Sequence, residues 1–456
     1  MKRIVFALTA LTMVSGCGVL GIGGGDKKPT TPTVGKRVAV LSAESDAEVE
    51  PTLANTPVTI PPPVANSDWP QPGGNAAKSI GNLAFGATPT RIWEIEAGRG
   101  GSNRGRLAAS PVVAQGRVYT IDTTATVRAF DAQTGARVWA AEVGSAENRR
   151  GGRSFLTGES TGNSGVLFGG GVSFDNGRIF ATNGLGDVAA FDAATGKQIW
   201  LVRPGGPLRG SPTIANDNVY VVSQDNQLFA LNPADGSQRW TGIGTMEIAG
   251  VFGSASPAAA QGTVVAGFSS GELTAYRYEN GRIVWQEALT RTSISTSVGS
   301  LSDVDADPVI DQGRVYAIGS GGRMIATELA TGQRIWEINI AGIATPAVAG
   351  DWIFVVTDEA KLLAVARASG QVRWMTQLPR YRDEKDRKGP IRWSGPLLAG
   401  NRLVLVSTQG DIVYASPFDG SVQTTVPTKR AISLPPVIAD QVLYILHDDG
   451  RLTAWR

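Results

Sequence analysis

The sequence predicts an all-β fold, an eight-bladed β-propeller of four-stranded antiparallel blades whose ring is closed by an N-terminal strand. Three observations lead there: one phrase that recurs along the chain, a strand grammar that precedes each copy, and the point at which the chain ends. The phrase is an Ala, a Gly six residues later and a Trp four residues after that. It reads AFDAQTGARVW from Ala129, AFDAATGKQIW from Ala190, ALNPADGSQRW from Ala230, AYRYENGRIVW from Ala275, ATELATGQRIW from Ala326 and AVARASGQVRW from Ala364. Two degenerate copies follow, one from Tyr414 and one cut short at Ala454. Successive copies lie 61, 40, 45, 51, 38, 50 and 40 residues apart. A period near 40 with strand-like content indicates a propeller rather than a helical solenoid.

Each copy is preceded by short runs of Val, Ile, Tyr and Phe separated by Gly, Asn, Asp or Thr turns, as in SPVVAQGRVYTIDTTATVRAF. With the strand that closes the phrase, such as ARVWAAE, each unit has the four strands a blade requires. In DAQTG and DAATG the Asp and Thr side chains can bond the turn backbone, and Gly135 and Gly196 can adopt a positive φ.

The eighth unit stops at Trp455 and Arg456, before a fourth strand. TRIWEIEAG, from Thr90, matches ARVWAAEVG and QRIWEINIA and supplies that strand, so Trp93 is expected to close the ring. The repeated Trp139, Trp200, Trp240, Trp285, Trp336 and Trp374 are read as core. A large aromatic at the same place in nearly every blade buries apolar area between neighbouring sheets, whereas a ring has only one central site for a ligand.

Three segments follow: a signal peptide at 1–16, a lipidated cysteine with a Pro/Gly/Thr-rich tether at 17–66, and the propeller at 67–456. Lys2 and Arg3 precede an apolar stretch from Ile4 to Val14, then Ser15, Gly16 and Cys17. Small residues before a Cys that ends the apolar run resemble a bacterial lipobox, which implies that Cys17, the sole cysteine, is the lipidation site. Gly18 rather than Asp follows it, which by the sorting rule of such lipoproteins implies the periplasmic face of the outer membrane, with the lipid as the only membrane contact. GIGGGDKKPTTPT and VTIPPPVAN read as extended linker.

The formal net charge of +2 includes Lys2 and Arg3, so the mature chain is near neutral. No basic stripe tracks along it, which argues against nucleic acid as a partner. Arg149, Arg150 and Arg153, and the run from Arg380 to Lys388, are expected as solvated loops.

The phrase resembles the repeats of quinoprotein alcohol dehydrogenases, eight-bladed enzymes that hold pyrroloquinoline quinone at the ring centre. The resemblance implies the fold; repeats carry no chemistry of their own. Those enzymes stack the quinone on a disulfide between adjacent cysteines and coordinate Ca²⁺, and with one cysteine that platform cannot be built. His447 is the only histidine, which excludes a His metal cluster, and in YILHDDGRL a surface or turn role is expected for it. Asp303 with Asp305, and Asp448 with Asp449, could do acid/base work or bind Ca²⁺, but no nucleophile accompanies them. No cofactor, no metal and no catalytic residue are expected, and the chain is read as not an enzyme.

Between the fourth and fifth units stands LSDVD, Leu301 to Asp305, leading into the next first strand. With the lipobox, the eight units and the opening DWPQPGGNAAKS, this resembles the BamB family, lipoproteins of the outer-membrane β-barrel assembly machinery. The resemblance implies a non-enzymatic scaffold in the Bam complex that docks on the periplasmic POTRA domains of BamA, with nascent outer-membrane proteins as further candidate partners. It also implies a contact surface: Leu301 as an apolar contact, Asp303 and Asp305 as acceptors for donors on the partner, and Val251 in the loop before the preceding blade. Phe252 stands where the family commonly has an Arg. The alternative for Asp303 and Asp305 is that they cap their own loop.

Overall fold

The computed structural model describes residues 47–102, 105–144, 169–245, 255–290 and 302–456. Eight four-stranded antiparallel sheets are arranged as the blades of a propeller. Blade one is typical, with Val112–Ala114 innermost, then Arg117–Ile121, Thr126–Asp131 and Arg137–Glu142 outermost. The innermost strands of blades two to eight are Val172–Asp175, Thr213–Ala215, Ala258–Ala260, Val309–Asp311, Ala347–Ala349, Trp393–Ala399 and Val437–Ala439. A hairpin of Tyr381–Asp383 and Lys388–Pro390 is inserted between blades six and seven. It carries the Arg380 to Lys388 cluster as an exposed loop, as expected.

The eighth blade is completed from the other end of the chain. Arg91–Glu96 pairs antiparallel with Arg451–Trp455, with Trp93 opposite Ala454. This is the register in which Trp139 faces Ala129 and Trp200 faces Ala190, so Trp93 fills the missing place. Thr90 and Arg456 exchange backbone hydrogen bonds of 2.7 and 2.9 Å at the seam's end.

The Ala, Gly and Trp phrase is a device that works between blades. The Trp139 indole donates to the Ala193 carbonyl (3.0 Å), Trp240 to Tyr278 (2.8 Å), Trp285 to Leu329 (2.8 Å) and Trp336 to Arg367 (2.9 Å), always in the turn of the next blade. The same turn holds the phrase's glycine under the indole. A Cβ on Gly332 would meet Trp285 Cγ at 2.5 Å, and its φ of +74° belongs to the region that favours glycine. The latch recurs at seven seams, from Trp93 over Gly135 to Trp374 over Gly420. The six tryptophans read as core are only 6–8% exposed.

The domain boundary differs from the expectation. Residues 47–66, read from sequence as the end of the tether, are packed on the propeller: Val49 bridges to Val372, the Arg373 guanidinium donates to the Thr56 carbonyl (2.9 Å), and Val58 is buried beside blades six and seven. Asn66 donates to the Ile438 carbonyl of blade eight (2.7 Å). The chain then makes a circuit of one mouth of the central channel. Trp69 N–H donates to Val113 (2.6 Å) in blade one, Phe174 N–H to Pro70 (2.6 Å) in blade two, and Ile214 N–H to Gln71 Oε1 (3.0 Å) in blade three. Ala259 N–H donates to Ala76 (2.8 Å) in blade four, Ile310 N–H to Ala77 (2.8 Å) in blade five, and Leu83 N–H to Leu398 (3.0 Å) in blade seven. Proline-rich composition suggested a linker, but most of the contacts are hydrogen bonds to the free edges of innermost strands, which need no apolar periodicity. Cys17 and the remainder of the expected tether and signal peptide lie outside the described residues.

Candidate functional site

The connection from blade four to blade five is clamped on both sides where it is described. The Val304 N–H donates to Phe268 of blade four (3.2 Å), and the Ser302 hydroxyl to Ser269 (3.1 Å). The Asp303 carbonyl accepts from the Ser320 N–H (2.9 Å) and hydroxyl (2.8 Å) of blade five. Val304 is fully buried against Gly267, whose added Cβ would lie 2.5 Å from Val304 Cγ1. Residues 302–304 thus form a segment wedged between two sheets.

The two aspartates face inward, which corrects their expected role as acceptors for a partner. Asp303 is fully buried and the Asp305 side chain is 8% exposed. Both face Arg209, itself 3% exposed, with Arg209 Nη2 at 3.1 Å from Asp305 Oδ1 and 3.6 Å from Asp303 Oδ1. A charge buried this deeply requires an opposite charge, and Arg209 supplies it from the connection between blades two and three. That connection is fixed in turn: the Arg209 N–H donates to Val222 (2.9 Å) and its carbonyl accepts from Gly170 (3.1 Å). Burial pushes the Asp305 carboxyl up to about 7, with Asp303 and Asp358 adding repulsion and Arg209 opposing them. Arg209 escaped the sequence reading; its one signal is a charged residue two positions before the Ser-Pro that opens an innermost strand.

Leu301, Val251 and Phe252 lie outside the described residues, as do Arg149, Arg150 and Arg153. The surface reading of His447 is corrected: the side chain is fully buried, its Nε2 is 3.0 Å from the Thr453 hydroxyl, and burial lowers its pKa. Asp448 accepts from the Ser433 N–H (2.9 Å) and hydroxyl (2.7 Å), while Asp449 pairs with Arg430 at 2.6 Å. These are loop caps rather than a reactive pair. Among the described residues no three His, Cys, Asp or Glu side chains gather as a metal site.

The quinone of the dehydrogenases does not fit these residues. Its stacking platform needs adjacent cysteines, and Cys17 is alone. The carboxylates beside the channel, Asp305 and Asp307, are engaged by Arg209 and by the Ser256 N–H (2.6 Å). Fold and site therefore define the class: a quinoprotein-type eight-bladed propeller without the quinoprotein centre. The family model described as "Outer membrane protein assembly factor BamB" matches residues 85–148 and 123–376, and the chain belongs to that family. The BamB of Moranella endobia is 25% identical over 369 residues, 80% of this chain and 90% of that relative. The crystal structure of BamB from Moraxella catarrhalis superposes with a TM-score of 0.65 at 18% identity, covering 81% of this chain and all of that one. Quinohemoprotein alcohol dehydrogenase from Comamonas testosteroni scores 0.64 at 13% identity, covering 85% and 80%. The likeness to these two solved structures is one of fold.

Proposed function

We propose that this chain is a non-enzymatic scaffold of outer-membrane protein assembly, anchored by lipid on Cys17 at the periplasmic face of the outer membrane. In this reading it docks on the POTRA domains of BamA within the Bam complex and supports folding and insertion of β-barrel proteins. Membership of the assembly-factor family carries the proposal, and the misfit between the channel residues and a quinone centre supports its non-enzymatic part. The docking surface is the blade four to five connection with its neighbour around Val251 and Phe252. Within it Asp303 and Asp305 act as a buried frame with Arg209, so the partner meets the apolar residues around them.

The test is co-purification with BamA from solubilised membranes of cells carrying the full chain. Leu301→Arg with Val251→Arg is expected to abolish capture while thermal melting is unchanged. Undiminished capture overturns the assignment of this surface, and a propeller that never captures BamA overturns the scaffold reading. Cys17→Ala is expected to move the protein from the membrane to the soluble fraction.

A further inference from the structure

The central channel holds a cavity of about 650 Å³, within the range of small-molecule sites. The N-terminal circuit floors it with buried Trp69 and Lys78. At its rim stand exposed Arg106, Ile343, Arg392, Ser433 and Pro435, from the connections that lead into the innermost strands. Apolar wall is supplied by Leu397, Leu434 and the ring of Trp393.

Its charges are used asymmetrically. The acids have partners in the protein: Asp305 faces Arg209, and Asp307 accepts from Ser256. The bases do not. Lys78 is 3% exposed, yet its ammonium has one hydrogen bond, to the Thr213 hydroxyl (3.1 Å), and no ion pair among the described residues. Thr213 donates its own proton to the Pro257 carbonyl (2.6 Å), so its lone pair faces Lys78. An ammonium has three donors, and burial with only the more distant charge of Asp307 in support lowers its pKa to about 8. Arg106 and Arg392 likewise form no ion pair among the described residues. Two unpaired cations at a mouth and a third on the floor focus the field for an incoming anion.

We propose that this cavity binds a small organic anion with an apolar body, its acidic group received by Lys78 and its body lying against Trp69 and Trp393. This goes beyond the scaffold role and does not depend on it. The Lys78 ammonium gains the acceptor it lacks, and an apolar ligand body removes wall area from water.

The test is isothermal titration of the full-length protein with naphthalene-2,6-dicarboxylate, against the uncharged naphthalene-2,6-dimethanol. One saturable site is expected for the dicarboxylate, with the diol at least tenfold weaker. Lys78→Met is expected to weaken dicarboxylate binding at least tenfold, and raising the pH from 7 to 9 to weaken it as Lys78 loses its proton. Because Lys78 is buried, Ile343→Trp provides a second variant: it narrows the exposed mouth, and should abolish binding without lowering the melting temperature. Absence of saturable binding, equal affinity for the diol, or binding that survives both substitutions overturns the proposal.

Discussion

The outer rim and the channel side of this propeller are built on opposite terms. At the rim one latch, an indole donating into the next blade's turn over a glycine, is repeated at seven seams with nearly the same atoms. On the channel side no such unit repeats: a buried Arg209 is joined to Asp303 and Asp305 between blades, and a lysine of the N-terminal circuit stands on the floor. A ring secured at its periphery tolerates costly charged groups at its centre. The uniform part therefore identifies the architecture, and the irregular part is where individual function is found.

The largest effect expected from breaking this contrast is at the rim. Trp285→Ala removes a buried indole and its hydrogen bond, and should lower unfolding free energy by about 3–5 kcal/mol in denaturant titration. Arg209→Met comes next, at about 3 kcal/mol. It strands two buried carboxylates, but Asp305 can take up a proton. It should also weaken capture of BamA by the proposed docking surface, whose buried frame is lost. Gly332→Ala strains a φ of +74° beneath Trp285, and should cost about 1–3 kcal/mol.

Asp305 sharpens the comparison through pH. Its folded pKa of about 7 lies above the ordinary 3.8, so the folded chain holds a proton the unfolded chain releases. The resulting stabilisation is complete below about pH 4 and is lost as pH rises through about 7. Asp305→Asn should flatten that descent in melting temperature measured from pH 4 to 8, and an unchanged slope would assign it to another group. The smallest effect is expected at Thr424, which occupies the tryptophan position of blade seven and is exposed. The turn it would cover does not exist in blade eight, whose outer strand comes from Arg91–Glu96. Thr424→Trp should therefore change stability by less than about 0.5 kcal/mol.

The rim was legible in the sequence because its signal is local and repeated: eleven residues carry the Ala, Gly and Trp phrase, and Trp93 could be assigned by matching it. The channel was not. Asp303 and Asp305 stand in a polar pentapeptide that reads as exposed, and only Arg209, about ninety residues earlier, turns them inward. His447 was misread for the same reason, since its burial depends on neighbouring strands rather than on YILHDDGRL itself. The circuit from Asn66 to Leu83 bonds mostly through its backbone, with scattered side chains such as Asn66 and Gln71 added, which leaves no periodic pattern to find.

Closure by Arg91–Glu96 also sets the order in which the molecule can be finished. During synthesis Trp93 emerges 361 residues ahead of its partner Ala454. Until then the first strand has no sheet to join, and the segment that circles the channel has not met all the blades it will hold. Such non-local pairing is slow and leaves strand edges open to other chains. The segment from Asn66 to Glu96 must therefore be kept from pairing elsewhere while the blades accumulate, and closure of the ring is a late event that joins Arg91–Glu96 to Arg451–Trp455.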